Sequence, residues 1–336
     1  MKDWVAITGC NGYIGGQMVL NFKDAEYRII GVDLEMKAPW LHDYIDVLVH
    51  DDCSSDCFVE AVAERNPVAL IHLAGTSLVG PSIANPLPYY ANNVGNTALM
   101  LQKLAALGWN RRVFFSSTAA VYKPSDMLLT ESCALQPSNP YGQSKLFAET
   151  VLRDAAHAYG FDVAVFRYFN ACGADSRRRH GQEENATHIM ARIMHAHNTE
   201  SEFVLYGNDY DTPDGTCVRD YLHVEDITSA HLYALDEPEI HYDFKVYNLG
   251  TGVGTSNLEV IAKAEKVLRM KLNVVVEPRR AGDAPRLVAS AHQFKEATNW
   301  HPISKMPHII QTAFDWHYSC KIRRDINNQN ELDRLY

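Results

Sequence analysis

Tyr141 is followed four residues later by Lys145, the only tyrosine and lysine at that spacing in the chain. On a helix, positions i and i+4 share one face, so the ammonium would lie beside the phenol. A free tyrosine ionises near pH ~10, and an adjacent cation favours the phenolate and makes it a usable base near neutrality. Upstream, Thr8-Gly9-Cys10-Asn11-Gly12-Tyr13-Ile14-Gly15 sets three glycines between a strand end and a helix start. Without side chains there, backbone N–H groups can approach a pyrophosphate at the positive end of the helix. The two features together predict nicotinamide redox chemistry.

A glycine-bearing strand-turn-helix is also what a plain tight turn looks like, and Asp33 narrows the choice. It ends the second apolar run, 18 residues after Gly15, where a carboxylate accepts hydrogen bonds from both hydroxyls of an adenosine ribose. That favours NAD over NADP, because a 2′-phosphate would face Asp33 and Glu35 with only Lys37 nearby. Thr118 closes the run Phe114-Phe115-Ser116-Ser117. Strand ends in such sheets face the ligand crevice, where its hydroxyl could hydrogen-bond a substrate oxygen beside Tyr141.

The elements that must position these groups follow from the pattern up to about residue 170. Strand-like runs Trp4–Thr8, Tyr27–Asp33, Val68–Leu73, Arg112–Ser117 and Asp162–Phe169 alternate with helical spacing over Tyr13–Phe22, Asp56–Glu64, Leu87–Leu107 and Tyr141–Tyr159. That rhythm predicts an α/β fold, a Rossmann-type doubly wound parallel sheet. Asn139-Pro140 marks the start of the last helix and places Tyr141 in its first turn. Past residue 170 turn-rich segments such as Gly207 to Gly215 separate shorter elements. The expected division is an NAD-binding domain over 1–170, a smaller C-terminal α/β substrate domain over 171–320 with some segments returning to the first, and a polar tail over 321–336.

Composition excludes several classes. The 336 residues are 46% hydrophobic and 21% charged, with a formal net charge of −10, which offers no attraction to nucleic acid or anionic lipid. No apolar run approaches the roughly 18 residues of a membrane span. Seven cysteines without a CxxC pair, and no signal-peptide pattern, fit reduced thiols in the cytoplasm. His188, His195 and His197 lack a zinc signature, so no metal is expected. The run Arg177-Arg178-Arg179 reads as a solvated loop, and His72, inside an apolar strand, as a satisfied core residue.

Longer strings then carry a resemblance over nearly the whole chain: Leu73-Ala74-Gly75, Tyr89-Tyr90-Ala91-Asn92-Asn93-Val94, Ser116 to Tyr122, Asn139 to Lys145, Arg167-Tyr168-Phe169-Asn170, Tyr206 to Tyr210, Val218 to Val224, Tyr247-Asn248-Leu249-Gly250 and Arg279 to Asp283. They resemble the extended short-chain dehydrogenase/reductase family and, within it, the UDP-galactose (UDP-glucose) 4-epimerases. The resemblance implies Thr118, Tyr141 and Lys145 as the catalytic set, with Tyr141 taking the proton of the sugar 4-hydroxyl and Lys145 also meeting the nicotinamide ribose. It implies cofactor contacts at Gly9, Gly12, Tyr13, Ile14, Gly15, Asp33, Leu73, Ala74, Gly75, Asn92 and Phe169, with either Asp51 or Asp52 at the adenine. For a UDP-sugar it implies Asn170, His188, Tyr206, Arg219, Arg280 and Asp283. Without the family pattern, Arg219 would read as an ion pair with Asp220, and Arg279-Arg280 as solvated. Relatives pair through Leu87–Leu107 and Tyr141–Tyr159, implying a homodimer.

Some positions depart from the family. Ser77 stands where relatives carry lysine, Cys10 and Asn11 replace smaller residues, Gly95-Asn96 reverses a usual order, and Asp175 to Asn185 follows the pattern poorly. Leu287 stands where a bulky tyrosine in some members restricts the sugar 2-substituent, so an N-acetyl group should fit. Sister dehydratases carry an acid pair after the catalytic threonine. Ala119 and Ala120 cannot exchange protons, which disfavours dehydration. The alternatives are a 4-epimerase of another UDP-sugar (N-acetylhexosamine, uronic acid or pentose) and a non-catalytic NAD- or nucleotide-sugar-binding protein.

Overall fold

The computed structural model describes residues 3–183, 187–236, 243–280 and 282–335, the last thirteen by backbone alone. Seven parallel strands form the main sheet in the spatial order Phe244–Leu249, Asp162–Tyr168, Arg112–Thr118, Ala69–His72, Trp4–Thr8, Arg28–Asp33 and Val47–His50. Its inner strands are buried almost throughout, as expected where helices cover both faces. Chain direction across the sheet reverses between Trp4–Thr8 and Ala69–His72. The crevice beyond the carboxyl ends of these two strands is therefore the ligand position of such a sheet.

Two strands were not read from the sequence. Val47–His50 is only four residues long and half-exposed, so it lacks a strong apolar run. Phe244–Leu249 lies beyond the turn-rich region yet pairs with Asp162–Tyr168 from Phe244↔Val163 to Leu249↔Tyr168. The helix expected over Leu87–Leu107 is broken into Leu87–Tyr90, a π-helical stretch Ala91–Asn96, and Thr97–Ala106. Such one-turn bulges gather at functional sites, and this one carries Asn92 and Asn93.

The remaining strands build smaller sheets. Asn170–Cys172, Gly254–Ser256 and Arg286–Leu287 each pair with Val218–His223, and Phe203–Tyr206 pairs with Val274–Glu277. Their core is an apolar cluster including Met190, Ile193, Val260, Ile261, Ile309 and Ile310, contributed by helices Ile189–Thr199, Asn257–Leu268 and Met306–Leu335. The segment expected as a polar tail continues that last helix to Leu335. The two parts are fastened at the glycine turn, where the Tyr13 hydroxyl donates to the Gly173 carbonyl at 2.8 Å.

Candidate active site

The first turn of helix Pro140–Tyr159 sets the reacting geometry. Asn139 caps it, its side-chain oxygen accepting from the Gly142 N–H at 2.9 Å, with Pro140 next in the turn. Gly142 lets this turn press against the end of strand Arg112–Thr118, since a Cβ there would stand 2.4 Å from the Ala120 carbonyl oxygen. Asn93, buried in the π-helical stretch, donates to the Ser144 hydroxyl at 2.9 Å, and Ser144 donates to the Tyr141 carbonyl at 2.7 Å. Tyr141 is thereby held against Thr118 on one side and the Tyr89 ring on the other, 6.5 Å between centroids.

Charge at this centre differs from the sequence expectation. Burial pushes the Tyr141 phenol above its ordinary value, a hydrogen bond from Thr118 opposes the rise, and Tyr89 adds to it. Burial is the largest of these three influences. The Lys145 ammonium lies 4.7 Å above the Phe115 ring and is itself lowered to about 8 by burial, a shift that Glu149 and Cys53 oppose.

Glu149, one helical turn beyond Lys145, is buried and fixed. It accepts from Arg167 through both oxygens, at 3.0 and 2.7 Å, and from the Ser117 hydroxyl at 2.5 Å. Arg167 continues to the Tyr122 hydroxyl at 2.9 Å, and Tyr122 donates to Asn248 at 2.7 Å. A buried carboxylate bound in this way cannot swing from Lys145, and bidentate Arg–carboxylate geometry is the strong form of the pair.

Every residue expected at the site lines one cleft of about 970 Å³. At the dinucleotide end, Gly9 adopts φ +70°, and a Cβ on Gly15 would stand 1.8 Å from the Gly9 carbonyl oxygen, so this turn admits no larger residue without rearrangement. Gly12 supplies no side-chain cap to helix Tyr13–Asp24, which leaves the first-turn N–H groups open to an anion. Thr8 fixes the Leu73-Ala74-Gly75 turn by accepting from Leu73 and Ala74 N–H at 3.1 and 3.0 Å. His72 is the satisfied core residue expected, between Thr8 and Thr97 at 2.7 and 2.8 Å, its imidazole lowered to about 3 first by burial and then by Lys145.

Acidic groups gather at the same end. Asp33 accepts from the Asn11 and Glu35 N–H groups at 2.8 and 3.1 Å, and Lys37 is engaged by Glu35. Asp51 and Asp52 both line the cleft. Asp52 is tied to Ser54 and, at 2.7 Å, to Asn96, whereas among the described residues Asp51 accepts only from its neighbour's N–H.

The opposite end is cationic. Arg280 donates to Asp283 at 3.2 Å, and Arg219 reaches the same carboxylate at 3.9 Å. Asp220 does not pair with Arg219. It is buried and accepts from Thr251, Gly252 and Ala289. Arg279 is turned to Asp209 and the Tyr210 ring, so adjacent arginines take different directions. His188 is exposed at the start of helix Ile189–Thr199, and Asn170, Tyr206 and Leu287 are half-buried. Arg192, one helical turn beyond His188, also lines this end and was missed. Its guanidinium carbon lies 5.0 and 5.1 Å from the Phe203 and Tyr206 ring centres, with that of Arg280 4.9 Å from Tyr206. A lone cation on an otherwise apolar helical stretch was the available signal.

The arginine run is not simply solvated. Arg177 and Arg179 pair with Asp24, Arg179 also with buried Asp175, and Arg178 with Asp315. Among the described residues, His223, Glu225 and His308 could face one metal ion. However, the two ring nitrogens of His223 already meet the Glu225 N–H and Thr312, and both Glu225 oxygens accept from Ser176.

Comparison with known proteins bears on this geometry. A family model described as the NAD dependent epimerase/dehydratase family matches residues 5–250. A UDP-glucose 4-epimerase of Azospirillum brasilense is 36% identical over 321 residues, covering 94% of this chain and 92% of that one. The structure of UDP-glucose 4-epimerase from Bifidobacterium longum, in complex with NAD+ and UDP, superposes with a TM-score of 0.87 at 31% identity, covering 94% of this chain and 98% of the other. The UDP-Glc/GlcNAc 4-epimerase of Campylobacter jejuni gives a TM-score of 0.79 at 35% identity over 95% and 100% of the two chains.

Proposed function

This chain belongs to the NAD dependent epimerase/dehydratase family, and we propose that it is an NAD-dependent UDP-glucose/UDP-galactose 4-epimerase. The observation that carries the reading is the single cleft that joins an open helix N-terminus and Asp33 to Thr118, Tyr141 and Lys145, and these to Arg219 and Arg280. NAD fits the first part: Gly9 and Gly15 admit close backbone approach, Asp33 retains acceptor capacity for ribose hydroxyls, and Lys37, bound to Glu35, leaves no free cation for a 2′-phosphate. When bound, NAD supplies the hydride acceptor and a positively charged ring.

Tyr141 takes the proton of the sugar 4-hydroxyl as hydride leaves C4, and returns it after the 4-keto sugar has turned its other face. Thr118 holds the phenol oxygen by its hydrogen bond. Lys145 places an ammonium within the cleft beside Gly75. Arg219, Arg280 and Tyr206 hold the nucleotide diphosphate while the sugar reorients, with Asn170, His188 and Asp283 completing the UDP contacts. Ala119 and Ala120 provide no acid or base, which keeps the 4-keto sugar from dehydration.

Incubation with a panel of UDP-sugars, followed by chromatography of the 4-epimers, tests the reading. Interconversion of UDP-glucose and UDP-galactose is expected, pentose-only conversion would favour the rival sugar, and no conversion would favour a binding protein. Leu287 lines the cleft without a bulky aromatic ring, so UDP-N-acetylgalactosamine is expected to turn over as well. Location in the cytoplasm is supported by the free thiols of Cys10, Cys53, Cys57, Cys133, Cys172 and Cys217, and among the described residues no helix is long and apolar enough to cross a membrane. Homodimerisation through the Thr97–Ala106 and Pro140–Tyr159 helices is supported by exposed Leu99 and Phe147.

A further inference from the structure

We propose that Arg192 is a third guanidinium for the diphosphate of the nucleotide sugar, an inference that rests on the UDP-sugar reading. The cationic end of the cleft contains Arg192, Arg219 and Arg280, and only one carboxylate, Asp283, meets any of them within 4.0 Å among the described residues. Three positive charges against one leave an excess of two, which is the charge of a diphosphate diester. Asp283 is shared by Arg219 and Arg280, so among the described residues Arg192 is the member with no carboxylate within 4.0 Å, Glu277 acting on it only from farther away.

Its surroundings hold the side chain in place and leave donors over. The Phe203 and Val274 positions face each other across a parallel ladder in which the Phe203 and Gly207 N–H groups donate to Asn273 and Glu277 carbonyls. Alternation along the strand turns the Val204 carbonyl to the other edge, where an Arg192 Nη donates to it. That uses one of five guanidinium N–H donors. Phe203 and Tyr206 supply aromatic faces on which the group rests. Tyr206 is shared with Arg280, so two guanidinium groups stand by one ring, a like-charge arrangement that an anion between them relieves. Arg279 provides the contrast, its charge engaged by Asp209 outside this group.

Calorimetry on the NAD-loaded protein with UDP and with uridine tests the proposal, using Arg192→Met, Arg192→Gln and Arg192→Lys at low and high salt. The Met and Gln variants should weaken UDP roughly tenfold or more, leave uridine binding unchanged, and lose part of the difference at high salt. Gln retains a donor for Val204, so it guards against a fold that fails with Met. Lys should restore most of the affinity. Equal weakening of UDP and uridine, or no weakening of either, would overturn the assignment. Wild-type protein that binds UDP through Arg192 but interconverts no UDP-hexose would sink the epimerase reading and leave this one standing; wild-type protein that binds no UDP would sink both.

Discussion

The two ends of the cleft offer positive charge by opposite means. At the glycine-turn end the side chains are carboxylates, Asp33, Glu35, Asp51 and Asp52, and the positive partial charge is backbone, the uncapped start of helix Tyr13–Asp24. At the other end the positive charge is carried by side chains, Arg192, Arg219 and Arg280, with Asp283 between two of them. A helix terminus offers a fixed partial charge that suits a resident cofactor. Guanidinium groups on a helix, a strand and a loop offer whole charges that can follow a moving ligand. Between the ends, Tyr141 needs neither feature for its own placement, which comes from Asn139, Gly142 and Ser144.

The largest expected effect tests whether the centre is independent of both ends. Tyr141→Phe should lower turnover by roughly 10² to 10⁴ while NAD and UDP affinities, measured by calorimetry, stay as in the wild type. A variant that loses turnover only through weaker binding would break the separation. Next, Asp33→Asn should weaken NAD roughly tenfold or more and spare UDP, while Arg280→Met should do the reverse. Equal losses of both ligands in either variant would show the ends to be coupled.

The smallest effect concerns the acid behind Lys145. Burial lowers that amine to about 8, and the Glu149 charge opposes the shift. Removing the charge in Glu149→Gln must therefore lower the amine further. The alkaline limb of the kcat profile is expected to start near pH 8 in the wild type, because the ammonium is lost as pH rises, and to move to lower pH in the variant. An alkaline limb that does not move would show that Glu149 serves only to hold Arg167.

How much of this was legible in the chain follows the same division. The dinucleotide end is local: Gly9 to Gly15, Asp33 and Leu73 to Gly75 each follow a strand whose apolar run announces it. The cationic end gathers residues 188 to 287 from a helix start, strands and a loop, and no periodicity brings them together; the family strings placed them. Arg192 matched no string and was missed. Helical spacing places Lys145 and Tyr141 on one face, whereas the burial that raises the phenol comes from elements distant in sequence and was not legible. The π-helical break at Ala91–Asn96 was hidden because it is short and lies between the helices Leu87–Tyr90 and Thr97–Ala106, which read as one helical run.

The strand Phe244–Leu249 has a consequence for how this protein can be cut or made. It is synthesised some 80 residues after its partner Asp162–Tyr168, and all six of its residues pair with that partner. A fragment stopped at residue 170 would leave Asp162–Tyr168, with its apolar run Val163 to Phe166, as a bare edge open to pairing with any other chain. During translation the same edge stays uncovered until the ribosome has delivered residue 249, so the coenzyme half cannot finish folding ahead of the half that follows it.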